Sequence, residues 1–192
     1  LAHPSGIGIA ESSPKLSTED PERSSMGQGT NAYTNVQLSR YVTALANRGK
    51  VFELSLIDKV TSSDGTVVED HVPQISSVVD IADTTWDAVQ SGMRRVITDS
   101  SSKRIFRDLE VEIAGKTGTA QENTRANHAF FISYGPYANP EISVTVNIPY
   151  GYASANAATI AKSVYRFYYG YTSLEDIIGA GALDASNVVI GD

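Results

Sequence analysis

The sequence contains no cysteine, which excludes a disulfide framework and a thiolate metal site. It also lacks any apolar run near the roughly eighteen residues that a membrane-spanning helix needs. Basic residues are in the minority, with 15 Lys and Arg against 22 Asp and Glu. The net charge of −7 therefore argues against nucleic acid or an anionic membrane surface as a partner.

The chain is long enough for one sizeable domain, since its 192 residues include 41% hydrophobic side chains from which a core can be built. Thr34 followed by Gln37 is a capping box, which predicts a helix that ends near Gly49. A second helix is predicted over about residues 83–99, with the single tryptophan as a core anchor. A third helix, over about residues 154–169, is predicted to bury a face made of Ala157, Ile160, Ala161, Val164 and Tyr168.

Strand signals lie between and after the first two helices. Asp64-Gly65 suits the positive φ of a tight turn and predicts a small peripheral hairpin. Alternating polar and apolar residues then predict strands over residues 110–121, 129–134 and 142–148. Short connections favour an antiparallel meander of these three strands, across which the last helix would pack. The sequence therefore predicts an α+β fold of antiparallel strands packed by helices.

The first of those three strands carries the most informative stretch of the chain, AGKTGTAQ at residues 114–121. A lysine and two threonines stand among small residues, and two glycines remove side chains where a second backbone could approach and pair. Lys116 offers a positive charge, and Thr117 and Thr119 offer hydroxyls, to an anion such as a peptide carboxylate. We therefore predict a strand edge that binds peptides.

Two other interpretations of this stretch compete. Gly-Lys-Thr also ends the phosphate-binding P-loop, but that pattern needs a glycine five positions before Gly115, where Glu110 stands, and a helix directly after it. An ordinary edge strand with a solvated lysine is the better interpretation of an isolated Lys-Thr-Gly triplet. The surrounding sequence has to decide between them.

A second motif lies about 90 residues upstream, where Gly27-Gln28-Gly29 is followed by Thr34, Gln37-Leu38 and Ala46-Asn47-Arg48-Gly49. Together with residues 114–121 and the strand that opens with His128-Ala129-Phe130-Phe131, it resembles the transpeptidase domain of class B penicillin-binding proteins. In that family a G-Q-G turn and a T-x-x-Q-L helix precede the third signature box, K-T-G. The resemblance covers roughly residues 6–170.

The resemblance implies the C-terminal part of the penicillin-recognising, serine β-lactamase-like fold. It also implies an enzyme that cleaves the D-Ala-D-Ala end of a peptidoglycan stem peptide, passes the acyl group from a serine to an amine, and is acylated by β-lactams. By the same resemblance Lys116 supplies positive potential, the Thr117 and Thr119 hydroxyls hold the substrate carboxylate, and the Thr119 N–H is an oxyanion donor. Gly118 permits close approach, and Gln121 is a further substrate contact. Neither a metal nor another cofactor is implied.

The other two boxes of the family, S-x-x-K and S-x-N, lie upstream of the G-Q-G turn. Here the matching letters are in the wrong place, because Ser100-Ser101-Ser102-Lys103 comes just before the K-T-G strand and Ser154-Ala155-Asn156 follows the third strand. We therefore expect residues 1–170 to be a partial transpeptidase domain without its nucleophile, inactive alone. Residues 171–192 would be a tail, either a poorly ordered end or a short docking segment.

The expected partners are the peptidoglycan stem peptide, β-lactam antibiotics and the missing N-terminal part of the same domain. The expected location is the outer face of a bacterial cell membrane, with an anchor outside this chain. Two alternatives stay open: a β-lactam sensor or β-lactam-hydrolysing protein of the same fold, and a non-catalytic module whose K-T-G edge only binds peptides. The G-Q-G helix segment favours the transpeptidase.

Overall fold

The computed structural model describes residues 33–122 and 124–181 together with Gly27. The G-Q-G turn, apart from Gly27, and residues 182–192 of the predicted tail lie outside this part. The elements within it are α1 Asn35–Ala46, β1 Lys50–Phe52, β2 Lys59–Thr61, β3 Val67–Asp70, β4 Ile75–Val78, α2 Asp83–Thr98, α3 Lys103–Phe106, β5 Ala114–Ala120, β6 His128–Gly135, β7 Ile142–Ile148, α4 Ser154–Tyr168 and α5 Leu174–Gly181. Across these residues, no helix combines the length and the apolar character that crossing a bilayer requires.

The predicted capping box starts α1. Gln37 N–H donates to Thr34 Oγ1 at 3.2 Å, and Thr34 N–H donates to Gln37 Oε1 at 2.9 Å, so two N–H groups at the helix start are satisfied reciprocally. The helix is followed by Gly49 with φ +96°, a left-handed value that glycine adopts without steric cost. The prediction for this helix is confirmed.

A three-stranded antiparallel sheet in the order β5-β6-β7 forms the centre of the described chain, and it confirms the predicted meander. One core lies between α1, α2 and one face of this sheet and consists of Val42, Leu45, Ala46, Trp86, Met93, Ala114 and Tyr134. The other core lies between the opposite face and α4 and includes Phe131, Val144, Ala157, Ala161 and Tyr165. Helices therefore cover both faces of the sheet. Trp86 is 6% exposed and is the core anchor that the sequence predicts.

The hairpin predicted at Asp64-Gly65 is formed by β2 and β3, which pair antiparallel in a sheet of their own. Gly65 has φ +87°, as that turn requires. In the described chain β1 pairs with β4 in another two-stranded sheet. Both small sheets are separate from the central one, which agrees with the predicted peripheral position of the hairpin.

The strand predicted over residues 110–121 is shorter than expected, because the structure begins it at Ala114. The segment before it is held by side chains and loops. Arg94 donates to the Ile113 carbonyl at 2.8 Å, and Tyr137 N–H donates to the Glu112 carbonyl at 2.7 Å. Ile113 is buried and Glu112 is exposed, so the polar–apolar alternation there reflects burial of a loop residue.

The buried face of α4 also differs from the prediction. Ala157 and Ala161 are buried as expected, whereas Ile160, Val164 and Tyr168 are exposed. Ala158 and Tyr165 complete the buried face instead. Alanines let the helix approach the sheet closely, and the buried Tyr165 hydroxyl donates to Ser133 Oγ at 3.0 Å. Residues predicted as part of a tail include the helix α5.

Packing inside the central sheet requires a glycine at position 115. Gly115 is buried, and a Cβ built on it would lie 2.7 Å from Phe131 Cζ and 2.9 Å from the Ile132 carbonyl oxygen. By contrast, a Cβ on Gly92, within α2, would meet no atom of another segment within 4 Å. The two positions therefore form a matched pair for testing how tightly β5 is packed.

We expect Gly115→Ala to lower the free energy of unfolding by about 1–3 kcal/mol, because the added methyl overpacks the sheet. Gly92→Ala should raise it by about 0.5–1 kcal/mol, because alanine replaces glycine in an open helical position. Urea unfolding of both variants measures this difference. A Gly115→Ala chain as stable as the unmodified chain would contradict the packing role.

The two buried tyrosines of the central sheet and α4 give a second prediction. Within the described chain the Tyr134 hydroxyl is buried without a hydrogen-bond partner, and burial raises the pKa of Tyr134 to about 12. Tyr134→Phe should therefore leave the free energy of unfolding at neutral pH nearly unchanged or raise it. Tyr165→Phe should lower the free energy of unfolding by about 1 kcal/mol, because it removes the hydrogen bond to Ser133. Because the folded-state pKa lies above the unfolded value of about 10, Tyr134 ionises first in the unfolded chain, and the free energy of unfolding falls as the pH rises from about 10 through 12.

Chemical unfolding at pH 7 and at a series of alkaline pH values measures both effects. Tyr134→Phe should show a shallower loss of stability above pH 10 than the unmodified chain. Identical alkaline slopes for the two chains would mean that the Tyr134 hydroxyl does not resist ionisation in the folded state.

Candidate functional site

The K-T-G strand lies at an edge of the central sheet. Among the described residues β5 pairs only with β6, in an unbroken register from Ala114 opposite Tyr134 to Ala120 opposite His128. On its other side β5 has no neighbouring strand among the described residues. Lys116 is exposed, residues 117–119 are half-buried, and Gln121 is exposed just beyond the strand. An extended ligand could therefore reach the outer side of β5.

The two kinds of predicted ligand-binding side chain point to opposite faces of β5. Lys116 lies opposite Ile132 and shares the face that packs on α1 and α2. Thr117 lies opposite Phe131, and Thr119 opposite Ala129, on the face that packs on α4. Side chains alternate along a strand, so this separation follows from the spelling K-T-G-T. Because of it, a ligand can meet the lysine and both threonines together only by lying along the edge.

The Lys116 ammonium stays close to the strand. Its Nζ donates to the Thr117 carbonyl oxygen at 2.6 Å. Two surface cavities of about 510 and 350 Å³ lie elsewhere, and none of the five predicted site residues lines either one. In the described part of the chain, the site therefore has the form of an open strand edge.

The two glycines of the strand have different surroundings. The space that a Gly115 side chain would need is filled by the Phe131 ring, so this glycine serves the packing of the sheet. A Cβ on Gly118 would meet only Phe130 Cβ, at 3.3 Å. Gly118 thus has more room around its missing side chain than Gly115 has, and its role in ligand approach stays a prediction.

The two misplaced motifs have local structural roles. Ser100 Oγ donates to the Val96 carbonyl and accepts from Ser102 N–H, which closes the end of α2. Asn156, in the first turn of α4, donates from Nδ2 to the Gly151 carbonyl at 2.8 Å. That neither spelling marks a catalytic box stays a prediction.

Sequence reasoning missed a cluster at the C-terminal end of β5. There the His128 ring lies between the Glu122 carboxylate, 3.0 Å from Nε2, and the Tyr150 N–H, 3.1 Å from Nδ1. Arg125 donates to the Tyr150 hydroxyl at 2.6 Å and lies 5.1 Å from the centre of its ring. The glycine between two tyrosines at residues 150–152 indicates a turn, but only the fold brings this turn to His128.

Comparisons with known proteins agree with the fold. Residues 3–166 match the family model of the penicillin-binding protein transpeptidase domain. The peptidoglycan D,D-transpeptidase MrdA of Haemophilus influenzae is 32% identical over 166 residues, covering 74% of this chain and 25% of that protein. Penicillin-binding protein 2A of Bacillus subtilis is 29% identical, covering 75% of this chain and 23% of that protein. The chain thus spans about a quarter of the length of these relatives.

Solved structures give the same result. Penicillin-binding protein A from M. tuberculosis, as an imipenem acyl-enzyme complex, is similar with a TM-score of 0.65 and 25% identity over 74% of this chain and 32% of that chain. Pseudomonas aeruginosa PBP2 in complex with WCK 5153 is similar with a TM-score of 0.61 and 30% identity, with the same coverage of 74% and 32%. These structures confirm the predicted α+β, penicillin-recognising fold. With residues 3–166 matched by its model, the chain belongs to the penicillin-binding protein transpeptidase family.

Proposed function

We propose that this chain is the C-terminal part of the catalytic domain of a peptidoglycan D,D-transpeptidase. It would bind the end of a stem peptide, or a β-lactam, along the outer side of β5 and receive its acylating serine from a segment outside this chain. The observation that carries the proposal is the sequence AGKTGTAQ on a strand that, among the residues the structure describes, is paired on one side only. The relatives named as D,D-transpeptidases and the acyl-enzyme complex with imipenem support it.

Each residue of the edge has a role in this proposal. Lys116 supplies a positive charge near the reacting serine, and the Thr117 and Thr119 hydroxyls bind the carboxylate of the peptide or antibiotic. The Thr119 N–H is one of two donors to the oxyanion that forms when the serine attacks the carbonyl carbon. Gly118 lets the ligand approach the backbone, and Gln121 contacts the ligand beyond the strand.

The rest of the proposal concerns the whole protein. Residues 1–170 would be part of a transpeptidase domain, and residues 171–192 would follow it as a C-terminal extension. The missing part of the domain would carry S-x-x-K and S-x-N boxes and pack against the described residues. The site of action would be the outer face of a bacterial membrane, where peptidoglycan is crosslinked.

Acylation by a fluorescent penicillin tests the proposed role of Lys116. The protein that contains both this chain and a serine-bearing segment should be labelled, and Lys116→Ala should lower its second-order acylation rate at least about tenfold, because loss of a hydrogen bond to a charged group costs about 1.5–3 kcal/mol. Lys103→Ala is the control, since it removes the same charge from an exposed position in α3. Rates are read from gel fluorescence and intact mass.

The 192-residue chain alone should remain unlabelled under the same conditions. Labelling of this chain, above all at Ser100, would show that it carries its own nucleophile. Equal acylation rates for Lys116→Ala and Lys103→Ala would remove the lysine from the site. Labelling with no peptide crosslinking would instead support a β-lactam sensor.

A further inference from the structure

We propose that His128 is a proton-sensitive latch: its neutral ring holds residues 150–152, here called the arch, at the C-terminal end of β5, and protonation of Nδ1 releases them. His128 is thus a positioning residue. The latch itself follows from the contacts in the described chain. Its effect on ligand binding rests on the proposed function of β5.

The contacts of His128 define its protonation state. The ring belongs to the first residue of β6, which lies opposite Ala120, the last residue of β5. Nδ1 accepts the Tyr150 N–H at 3.1 Å, so it carries no proton in this arrangement. The single proton of the neutral ring is then on Nε2, which faces Glu122 Oε1 at 3.0 Å. The side chain is 24% exposed, so solvent protons can reach it.

The backbone of the arch is in a conformation that needs external support. Tyr150 has φ +55° and Tyr152 has φ +64°, in the left-handed region that residues with a side chain rarely adopt. Between them, a Cβ on Gly151 would lie 2.7 Å from Ile148 Cβ. The arch is therefore tightly folded back on the end of β7. Released from its contacts, it would relax toward commoner backbone angles.

Several hydrogen bonds hold the arch, and the bond to His128 differs from the others. Tyr152 N–H donates to the Asn127 carbonyl at 3.0 Å, and Asn156 Nδ2 donates to the Gly151 carbonyl at 2.8 Å. Those acceptors are carbonyl oxygens, which do not take up a proton near neutral pH. The acceptor for Tyr150 N–H is an imidazole nitrogen, and histidine is the side chain that changes charge in the physiological range.

Two charged groups of the β5–β6 connection, Glu122 and Arg125, bias the response of the His128 ring to protonation. Glu122, from the β5–β6 connection, faces Nε2 and attracts a positively charged ring. On the opposite side, the Tyr150 ring lies 4.9 Å from the His128 ring and bears the Arg125 guanidinium on its face. Protonation thus strengthens the contact with Glu122 while it turns the acceptor of the Tyr150 N–H into a donor. The ring is drawn to Glu122 and away from the arch.

The latch lies at the C-terminal end of β5, where a ligand bound along the strand would extend beyond it. At the other end, Ala114 and Gly115 are buried, whereas residues 121 and 122 are exposed. A ligand whose carboxylate is held at Thr117 and Thr119 therefore extends past Ala120 toward the connection that carries Glu122 and Arg125. If the proposed function holds, the arch is a wall of that subsite, and its release weakens ligand positioning.

Hydrogen exchange of the 192-residue chain tests the latch without any assumption about activity. Exchange at the Tyr150 amide, corrected for the intrinsic pH dependence, should become about fivefold faster or more when His128 is protonated, as expected for loss of one hydrogen bond. His128→Asn places an amide oxygen near the position of Nδ1 and should stay protected at every pH. His128→Gln places its amide near Nε2 and should exchange fast at every pH.

A pH-independent Tyr150 exchange in the unmodified chain, or full protection in His128→Gln, would overturn the latch. The ring also provides a check that needs no variant: ¹⁵N NMR at neutral pH should find the proton on Nε2. A proton on Nδ1 would overturn the proposal even if the variants fail to fold.

The effect on the site is tested in the longer serine-bearing protein. At a pH low enough to protonate His128, penicillin acylation of the unmodified protein should be several-fold slower than that of His128→Asn. At higher pH the two acylation rates should agree. Equal pH profiles would overturn the link between latch and site, while the exchange data still decide the latch itself. An absence of acylation in both proteins would count against the proposed function and against that link together.

Discussion

Within the part of the chain that the structure describes, β5 pairs with a single neighbour, and the proposed site depends on this constraint. Its pairing with β6 runs without a break over seven residues and fixes the face on which every side chain of the K-T-G stretch lies. Helices on both faces bury the sheet, so the outer side of β5 is the direction in which its backbone can meet a ligand. A strand paired on both sides would carry the same residues without an accessible edge.

Small residues make this arrangement possible. Gly115 leaves room for the Phe131 ring, and that ring stacks on Phe106 at 5.3 Å in the core beneath α4. The strand can thus be rigid at its buried start and accessible from Lys116 onward. The alternation of side chains then gives the edge a basic face and a hydroxyl-bearing face. The same local sequence therefore serves packing in its first half and, in the proposed function, ligand contact in its second.

One histidine joins two connections at the end of β5. The connections after β5 and after β7 meet through His128, whose two ring nitrogens contact different partners. Left-handed backbone angles at Tyr150 and Tyr152 make this meeting point dependent on its hydrogen bonds. In the proposed latch, His128 transmits a change in its protonation to the shape of the proposed ligand-binding edge.

Local signals in the sequence determined much of the fold. The capping box of α1, the Asp-Gly turn, the strands β6 and β7 and the antiparallel meander were all predictable, because each depends on neighbouring residues or on short connections. The K-T-G motif and its place on a strand were predictable for the same reason. Its ligand contacts remain a proposal, since they involve groups outside the chain.

Tertiary packing decided the rest. The start of β5 at Ala114 depends on Arg94, which reaches the preceding loop from another helix. The buried face of α4 was decided by the space above the sheet, which admits alanines and Tyr165 and leaves Ile160 and Val164 in solvent. The His128 cluster joins residues up to 28 positions apart, from Glu122 to Tyr150. Sequence alone determined which residues favour each element, but contacts between distant segments have no local signature, so only the folded chain could determine them.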